Sequence, residues 1–540
     1  MTAASAPANA PATIGVVGAG TMGAGIAQLG CLSGARTLLH DPVADALDRG
    51  VDQIKRHLER GAARGRWSEQ AANAAAQRLE ATLDLGDFGP CELVIEAAPE
   101  RLELKRELFR KLSEEIVSGQ CVLATNTSSL LVTAIAGAAK RPERVVGMHF
   151  FNPAPLMALL EVVAGEQSSD EALGVARAAG EAMGKHVIDA ADGPGFLVNR
   201  CNRPFGLEAL RLLQERIASV EEIDRICRQG GGFRMGPFEL MDLVGVDVGL
   251  DVARSFYEQS FGEPRWRPSP ISVRTVAAGR LGRKSGRGFY DYSDGAGEHR
   301  PADPEPPQAG GGDGVIVIAG DLPLAHELAD AAQDAGWRVA SPAEAADADP
   351  PFLILDLTGQ DESEAPLQGG PQVICCAAGS LAALDPEGAA VGFHALPPLH
   401  ASSLVELTRG PDSAASAASA AERFFATLGK RTTWVQDAPG LVLGRIVCQV
   451  INESAFALGE GVGSEADIDA GMVHGLSHPR GPLEWADQIG LDHVLSVLDA
   501  LSDELREDRY RAAPALRRLV WSGRLGRQTG EGFFGYEEDE

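Results

Sequence analysis

Asp192-x-Pro194-Gly195 recurs as Asp437-x-Pro439-Gly440, Ile223-Asp224 as Ile468-Asp469, and Gly236-Pro237-x-Glu239 as Gly481-Pro482-x-Glu484, each 245 residues further along the chain. Towards the ends of the match, Gly279-Arg280-Leu281-Gly282-Arg283 returns as Gly523-Arg524-Leu525-Gly526-Arg527 and Gly288-Phe289 as Gly532-Phe533, now offset by 244. Similarity held at one period over such a span is a duplicated module, so the chain has to fold as two related halves. Length agrees, because 540 residues supply about three to four domains of roughly 150 each.

In the first half, short apolar runs alternate with helical patterns. Residues 13–18 are an apolar run ending in glycine, 21–34 read as a helix, and 37–39 as a second apolar run, which together open a βαβ unit. Runs at 93–97, 121–125 and 145–149 then alternate with helical periodicity at 101–117 and 133–139. Strands alternating with helices predict a doubly wound parallel sheet of Rossmann type, an α/β domain. Residues 42–79 carry more helical pattern than one crossover needs and read as a helical hairpin projecting from the sheet. From residue 193 the strand signals fade, while 196–215, 220–229 and 246–259 keep helical periodicity, so an all-α domain follows. Residues 293–314, rich in Pro, Gly, Asp and Glu, bury too little apolar surface to order themselves and read as a linker.

The expected organisation is an α/β domain at 12–190, a helical domain at 191–292, a linker at 293–314, a degenerate α/β domain at 315–430 and a second helical domain at 431–540. The second α/β part is contracted. Gly18 stands 131 residues before His149, whereas the matching position, which reads as Ile318, stands only 76 before His394; this implies that the hairpin is lost there.

Lys and Arg total 48 against 76 Asp and Glu, a formal net charge of -28. That argues against general affinity for nucleic acid or anionic lipid, and any anionic ligand must meet a local basic patch. No stretch approaches the roughly 20 apolar residues of a membrane span, and residues 1–11 lack the basic head and apolar run of an export signal, so a cytoplasmic protein is expected. Eight cysteines without a Cys-x-x-Cys spacing offer neither a disulfide framework nor a zinc site, and no metal is expected.

Gly18-Ala19-Gly20-Thr21-Met22-Gly23 follows a strand and opens a helix, the context that makes G-x-G-x-x-G a dinucleotide fingerprint rather than only a glycine turn. Its glycines allow the tight turn and close backbone approach, and the helix start offers unpaired N–H groups to a pyrophosphate. Asp41 closes the second strand 23 residues after Gly18, where a carboxylate binds ribose hydroxyls and repels a 2′-phosphate; NAD is favoured over NADP. Standing before Pro42, Asp41 also reads as a plain helix cap. His149, in Gly147-Met148-His149-Phe150-Phe151-Asn152-Pro153, ends an apolar run, where open α/β sheets place ligand-facing residues. Glu161 follows twelve residues later between aliphatic neighbours and needs a partner. An imidazole held by a carboxylate is fixed in one tautomer and can take a hydroxyl proton as hydride leaves the adjoining carbon, although a lone histidine here would read as a satisfied core residue. Asn126-Thr127-Ser128-Ser129 brings short polar groups to the same sheet edge and reads equally as a helix N-cap; Asn199 lies on the next helix and either faces the interdomain cleft or does not.

These residues resemble the NAD-dependent (S)-3-hydroxyacyl-CoA dehydrogenases, with bacterial 3-hydroxybutyryl-CoA and 3-hydroxyadipyl-CoA members nearest in layout. The resemblance spans residues 13–292, with a degenerate second copy at 315–536, and is carried by the glycine loop, Asn126-Thr127-Ser128-Ser129, His149-Phe150-Phe151-Asn152-Pro153, Pro194-Gly195-Phe196-x-Val198-Asn199-Arg200 and Met235-Gly236-Pro237. It implies that His149 is the general base, Glu161 its orienting carboxylate, and Ser128 and Asn199 hydrogen-bond donors to the reacting oxygens. It also implies cofactor contacts at Asp41, Glu100, Lys105, Asn126 and Lys284 beside the loop residues Gly18, Gly20, Thr21, Met22 and Gly23. By the same resemblance an acyl-CoA thioester is the substrate and the helical hairpin receives its coenzyme A, where Lys55, Arg56, Arg60 and Arg64 supply a basic patch or only a solvated helix face.

The second copy is a control on those roles. His394 and Glu406 keep the twelve-residue spacing, but Asn199 becomes Gly444, Asn126-Thr127-Ser128 becomes Ala377-Ala378-Gly379, and the loop becomes Ile318-Ala319-Gly320-Asp321-Leu322-Pro323. Asp321 puts a negative charge near the phosphate position, and Pro323 is read in place of the third glycine. This half is expected neither to bind NAD well nor to turn over, and to serve instead as an internal partner, with the two helical domains forming a pseudo-dimer. Two rival readings stand beside this one: a dehydrogenase of free 3-hydroxyacids, which would typically use a catalytic lysine, and a homologue that keeps the fold without turnover.

Overall fold

The computed structural model describes residues 10–293, 299–345, 350–359, 369–386 and 388–536. Two compact units cut across the repeat: residues 1–200 with 461–476 form the first, and 201–460 with 477–540 the second.

The first unit is built on an eight-stranded sheet of β1 (Thr13–Val17), β2 (Arg36–His40), β3 (Leu79–Thr82), β4 (Leu93–Glu96), β5 (Val122–Thr125), β6 (Val145–Phe150), β7 (Leu159–Ala164) and β8 (His186–Ala191), in spatial order β3-β2-β1-β4-β5-β6-β7-β8. All neighbours run parallel except β6 and β7. Strands β4, β5 and β6 are buried on both faces, which is why they read in the sequence as continuous apolar runs. Strands β3, β7 and β8 carry polar residues (Glu80, Glu161, His186, Asp189) and stand outside the strand pattern read from the sequence.

The expected hairpin is present as helices Ala44–Ala63 and Glu69–Gln77. It packs on helix Thr21–Ser33 through Leu47, Ile54 and Leu58, so it is anchored at the glycine loop as well as projecting from it. Gly50 makes that approach possible, since a Cβ there would sit 2.7 Å from the Ala19 carbonyl oxygen. Lys55, Arg56 and Arg60 lie exposed on the same helix, and Arg64 lies exposed at its C-cap. Helix Glu465–Leu476, from the second half of the chain, completes this unit by packing on β7 and β8, with Gly471 close to Val198 and Ile188.

The second unit holds a seven-stranded sheet: β9 (Val315–Ala319), β10 (Arg338–Ala340), β11 (Leu353–Asp356), β12 (Gln372–Cys375), β13 (Val391–His394), β14 (Leu404–Arg409) and β15 (Arg431–Trp434), ordered β10-β9-β11-β12-β13-β14-β15. It repeats the first sheet, antiparallel pair included, without counterparts to the hairpin or β3 among the described residues. Helix Val220–Gln229 of the first half lies on β14, as its repeat partner Glu465–Leu476 lies on β7 and β8 of the first unit.

Helices Arg203–Glu215 and Leu443–Gly459, one from each helical domain, pack along each other in the second unit. Arg445, almost fully buried, joins them: its Nε donates to Glu208 at 2.9 Å, Nη1 to Glu215 at 2.7 Å and Nη2 to the Tyr510 hydroxyl at 3.0 Å. The segment 299–314 has no regular structure, as its composition predicts, yet ion pairs rather than apolar burial tie it down: Arg228 to Asp303 at 2.8 Å and Arg300 to Glu239 at 2.8 Å. All eight cysteines are free and buried.

Removing one partner of a buried ion cluster leaves an uncompensated charge, a loss of about 3–5 kcal/mol. Arg445→Met should therefore lower the urea midpoint of the second unit markedly, whereas Arg36→Met, at an exposed pair with Glu80 on the sheet edge, should leave the unfolding midpoint almost where it is. Equal effects of the two substitutions in denaturation curves would contradict this account.

Candidate active site

The glycine loop sits at the carboxyl end of β1. Gly18 has φ +99° and its N–H donates to the His40 carbonyl at 2.7 Å; a Cβ there would lie 2.6 Å from the Ala97 carbonyl oxygen. A side chain on Gly23 would collide with the Gly18 carbonyl oxygen, so only glycine lets helix Thr21–Ser33 close on the strand. At Gly20 no atom lies within 4 Å of the point a Cβ would occupy, so open space faces the helix start. Thr21 and Met22 form the first helical turn. Asp41 follows β2, with Oδ2 accepting from the Ala19 N–H and Oδ1 from the Val43 N–H, both at 3.0 Å. The cap-like role and the loop-facing role of Asp41 therefore coexist. This cradle fits NAD: backbone donors at a helix start for a pyrophosphate, and a carboxylate at the end of β2 for ribose hydroxyls.

Beyond β4 a buried polar cluster supports the next loop. Glu96, fully buried, accepts from Lys105 Nζ at 2.6 Å, the Ala98 N–H at 2.6 Å and the Thr125 hydroxyl at 2.7 Å. Lys105 also reaches Glu100 at 3.2 Å. Glu100 Oε1 accepts from the Thr127 hydroxyl at 2.5 Å and from the Ser128 and Ser129 N–H groups at 3.1 and 3.2 Å. Burial works to raise the Glu100 carboxyl, but the Lys105 ammonium and these donors outweigh it and hold the group below its ordinary range. Lys105 is thus a buried strut, and Glu100 the anchor of the loop that carries Ser128.

The dyad follows from strand register. Because β6 and β7 are antiparallel, His149 stands directly opposite Glu161, and Nδ1 and Oε2 meet at 2.6 Å. The other carboxylate oxygen accepts the N–H groups of Leu197 and Val198 at 3.1 and 2.9 Å, at the start of helix Val198–Cys201. Both side chains are buried. Asn126 Oδ1 accepts the Phe150 N–H at 2.9 Å, which ties the end of β5 to the strand bearing His149. Ser128 is exposed beyond β5, and Asn199 is half-buried within helix Val198–Cys201. The structure thus brings the glycine loop, Asp41, Asn126, Ser128 and His149 to one edge of one sheet, with Glu161 opposite the histidine and Asn199 on the helix start whose N–H groups Glu161 accepts. Lys284 belongs to the second unit, where its ammonium pairs with Asp247 at 2.6 Å.

Several residues around this site have no role that their place in the sequence predicts. Glu96 and Thr125 lie within apolar runs, where a single polar residue carries little signal. Phe151 and Phe196 flank the imidazole, their ring centroids 4.6 and 5.8 Å from it. Asp192 accepts from the Val132 and Thr133 N–H groups at 3.0 and 2.7 Å; its return as Asp437, which holds Leu381 and Ala382 in the same way, was the available signal.

In the second copy the glycine-loop position lies two residues later than the Ile318 expected from spacing. Strand β9 pairs with β10 as β1 pairs with β2, which sets Gly320 rather than Ile318 against Gly18; its φ is +102°, and a Cβ would lie 2.7 Å from the Leu357 carbonyl oxygen. Pro323 therefore opens helix Pro323–Asp334 as Thr21 opens its own, Leu322 replaces Gly20, and Ala325, not Pro323, stands for the third glycine. Leu322 now fills the open position above the helix start, and the exposed Asp321 pairs with His326 at 2.9 Å. His394 and Glu406 keep the cross-strand register without the bond. His394 Nε2 lies 3.1 Å from His493 Nε2, its Nδ1 has no hydrogen-bond partner among the described residues, and Glu406 accepts the Val442 and Leu443 N–H groups, at 2.8 and 2.9 Å. A Cβ on Gly444 would lie 2.4 Å from the His394 ring, so the glycine in place of Asn199 gives the ring its room. Burial pushes the Glu406 carboxyl up to about 8.

A dinucleotide cradle and a buried histidine–carboxylate pair on one edge of a doubly wound sheet define an oxidoreductase of the Rossmann class with attached helical modules. The family model of the 3-hydroxyacyl-CoA dehydrogenase NAD binding domain matches residues 13–193, and that of the 3-hydroxyacyl-CoA dehydrogenase C-terminal domain matches twice, at 195–292 and 440–536. The chain is 36% identical over 519 residues to the 3-hydroxyadipyl-CoA dehydrogenase of Escherichia coli K12, covering 95% of this chain and 98% of that one. It is 42% identical over 278 residues to a probable 3-hydroxybutyryl-CoA dehydrogenase of Deinococcus radiodurans, spanning 52% of this chain and 99% of the relative. The crystal structure of a 3-hydroxybutyryl-CoA dehydrogenase from Escherichia coli K12 superposes with a TM-score of 0.80 at 34% identity, over 95% of this chain and 99% of that one. The chain belongs to the 3-hydroxyacyl-CoA dehydrogenase family, with an NAD-binding domain and a C-terminal module present twice. Among the described residues no helix is long and apolar enough to cross a membrane.

Asp41→Ala should weaken NAD binding about tenfold or more in titration calorimetry, because a charge-assisted hydrogen bond contributes about 1.5–3 kcal/mol, and should narrow the preference over NADP. Unchanged affinity for both cofactors would remove Asp41 from the site. In the second copy, the folded state holds a proton on Glu406 that the unfolded chain releases above about 4.5, so this group's contribution to stability falls as pH rises from about 4.5 to about 8. Glu406→Gln should accordingly gain stability relative to the wild type across that window, read as a growing difference in urea midpoint.

Proposed function

We propose that the chain oxidises the 3-hydroxyl of an (S)-3-hydroxyacyl-CoA to the 3-oxo group, with NAD as the oxidant. The observation that carries this reading is the 2.6 Å contact of His149 with Glu161 on the same sheet edge as the glycine loop. A proton on Nδ1 donated to the carboxylate leaves the Nε2 lone pair free, so that nitrogen takes the hydroxyl proton of the substrate. Glu161, held by two backbone N–H groups, stays aimed at Nδ1 and offsets the positive charge that the ring acquires. NAD, when bound, accepts the hydride from C3. Ser128 and Asn199 are the donors assigned to the reacting oxygens, Asn126 holds the His149 strand through its amide oxygen and is assigned to the cofactor, and Lys284 is assigned to the cofactor as well.

The exposed Lys55, Arg56, Arg60 and Arg64 give an otherwise acidic chain a cationic helix face suited to the phosphates of coenzyme A. The second half, with its dyad separated and its loop filled by Leu322, acts as a built-in partner rather than a second catalyst. Support comes from the packing of helix Arg203–Glu215 on Leu443–Gly459 and from the Arg445 cluster that joins them. A cytoplasmic location and a role in fatty acid, butanoate or phenylacetate/adipate-type degradation are part of the same proposal.

The test is NADH formation against a panel of 3-hydroxyacyl-CoA thioesters, 3-hydroxybutyryl and 3-hydroxyadipyl among them, with NADP and the free 3-hydroxyacids as controls. Turnover should require the thioester and NAD. His149→Gln should lower kcat by about a thousandfold, within the 10²–10⁴ range of general-base catalysis, and Glu161→Gln by less. A His149→Gln enzyme within threefold of wild type would overturn the assignment.

A further inference from the structure

We infer that Phe151 and Phe196 are positioning residues for the general base: their rings hold the His149 imidazole in the orientation that meets Glu161, and the tilted Phe151 ring stabilises it once it carries the substrate proton. This rests on the dehydrogenase reading above and adds a role that the dyad by itself does not contain.

The geometry is specific to the first copy. The Phe151 ring lies 4.6 Å from the imidazole, centroid to centroid, tilted by 50°, and the Phe196 ring lies 5.8 Å away, edge-on at 60°. Phe196 is held there by an unusual backbone: its φ is +52°, in the left-handed region, directly after Gly195 at +73°. That turn aims the Leu197 and Val198 N–H groups at Glu161 and the Phe196 ring at His149, so one bend of the chain fixes both members of the dyad. Both rings are buried. A cation over the face of an aromatic ring, within about 6 Å of its centroid, is stabilised, and more strongly when water is excluded; an edge-on ring restrains orientation only, so the charge effect falls to Phe151. Proton transfer turns the imidazole into such a cation, and Glu161 is its ion-pair partner among the described residues.

The duplication supplies the comparison. At the repeat offset of 245, Phe151 and Phe196 become Leu396 and Leu441, and Leu441 keeps the left-handed backbone at φ +47°. Backbone, strand register and carboxylate are all retained, but the aromatic rings are not. There the imidazole has turned away from Glu406 to face His493, into the room left by Gly444. Packing needs are met by leucine at both positions, so the phenylalanines of the first copy do something that folding alone does not ask for.

The test places leucine, phenylalanine and a graded series of ring-fluorinated phenylalanines at position 151 of the full-length protein. Fluorination keeps the shape of the ring while withdrawing charge from its face. The readouts are the single-turnover rate of NADH formation from 3-hydroxybutyryl-CoA and the KM values for substrate and NAD. Phe151→Leu should slow the chemical step about fivefold, and the rate should fall stepwise with fluorination, with pentafluorophenylalanine at least as slow as leucine and both KM values unchanged. A pentafluorophenylalanine enzyme with the wild-type rate overturns the inference, as does a loss that appears in KM alone. Should Phe151→Leu fail to fold, the fluorinated series, which preserves volume, still decides. Absence of turnover by the wild-type protein would instead refute the dehydrogenase reading, so the two failures are distinct.

Discussion

The reversal of direction between β6 and β7 is the constraint on which the active site rests. In an otherwise parallel sheet, an antiparallel neighbour needs only a short connection, so residues twelve apart in the chain come face to face, and the register sets His149 opposite Glu161. A one-residue slip would turn one of the two side chains to the other face of the sheet. Register is secured on both sides, by pairing of β7 with β8 along its length and by the Asn126 amide on the Phe150 N–H. Glu161 then satisfies two backbone donors as well as the imidazole, so a buried carboxylate that would otherwise be costly becomes a hub joining strand, histidine and helix start.

Comparison of the two copies separates what the fold needs from what the chemistry needs. Asp192 and Asp437 each hold two backbone N–H groups of a helix start; Asp242 and Asp487 each accept from two backbone N–H groups and a tyrosine hydroxyl. Lys185 and Lys430 each reach two backbone carbonyls. These retained groups satisfy backbone atoms that would otherwise be buried unpaired. Glu406 belongs with them, since its surviving partners are backbone N–H groups. The groups that changed are Phe151 and Phe196, which lie against the imidazole, and Gly20, Ser128 and Asn199, which are proposed to meet the ligands.

Much of this was legible in the residues themselves. Buried parallel strands show as apolar runs, helix Val220–Gln229 begins at Ser219 with a capping box at Glu222, and the hairpin shows as surplus helical pattern. Strands β3, β7 and β8 were hidden because polar residues interrupt them, and the match of Ile318 to Gly18 was two residues out because spacing in a contracted copy does not reveal where a strand ends. Glu100 and Lys105 could be placed near the cofactor loop from their motif, but not their division of labour, since burial of the lysine against Glu96 is a property of the packed structure.

The amino-acid order by itself determined the duplication, the glycine loop that only residues without a side chain can form, the choice of histidine and glutamate, and the loss of polar groups in the second copy. These are local facts, set by backbone geometry and by side-chain chemistry. Tertiary structure alone decided that His149 meets Glu161 while His394 does not meet Glu406, although the spacing in the chain is the same. The reason is physical: a hydrogen bond depends on where neighbouring rings and cavities let a side chain point, and those neighbours come from segments that only folding brings together.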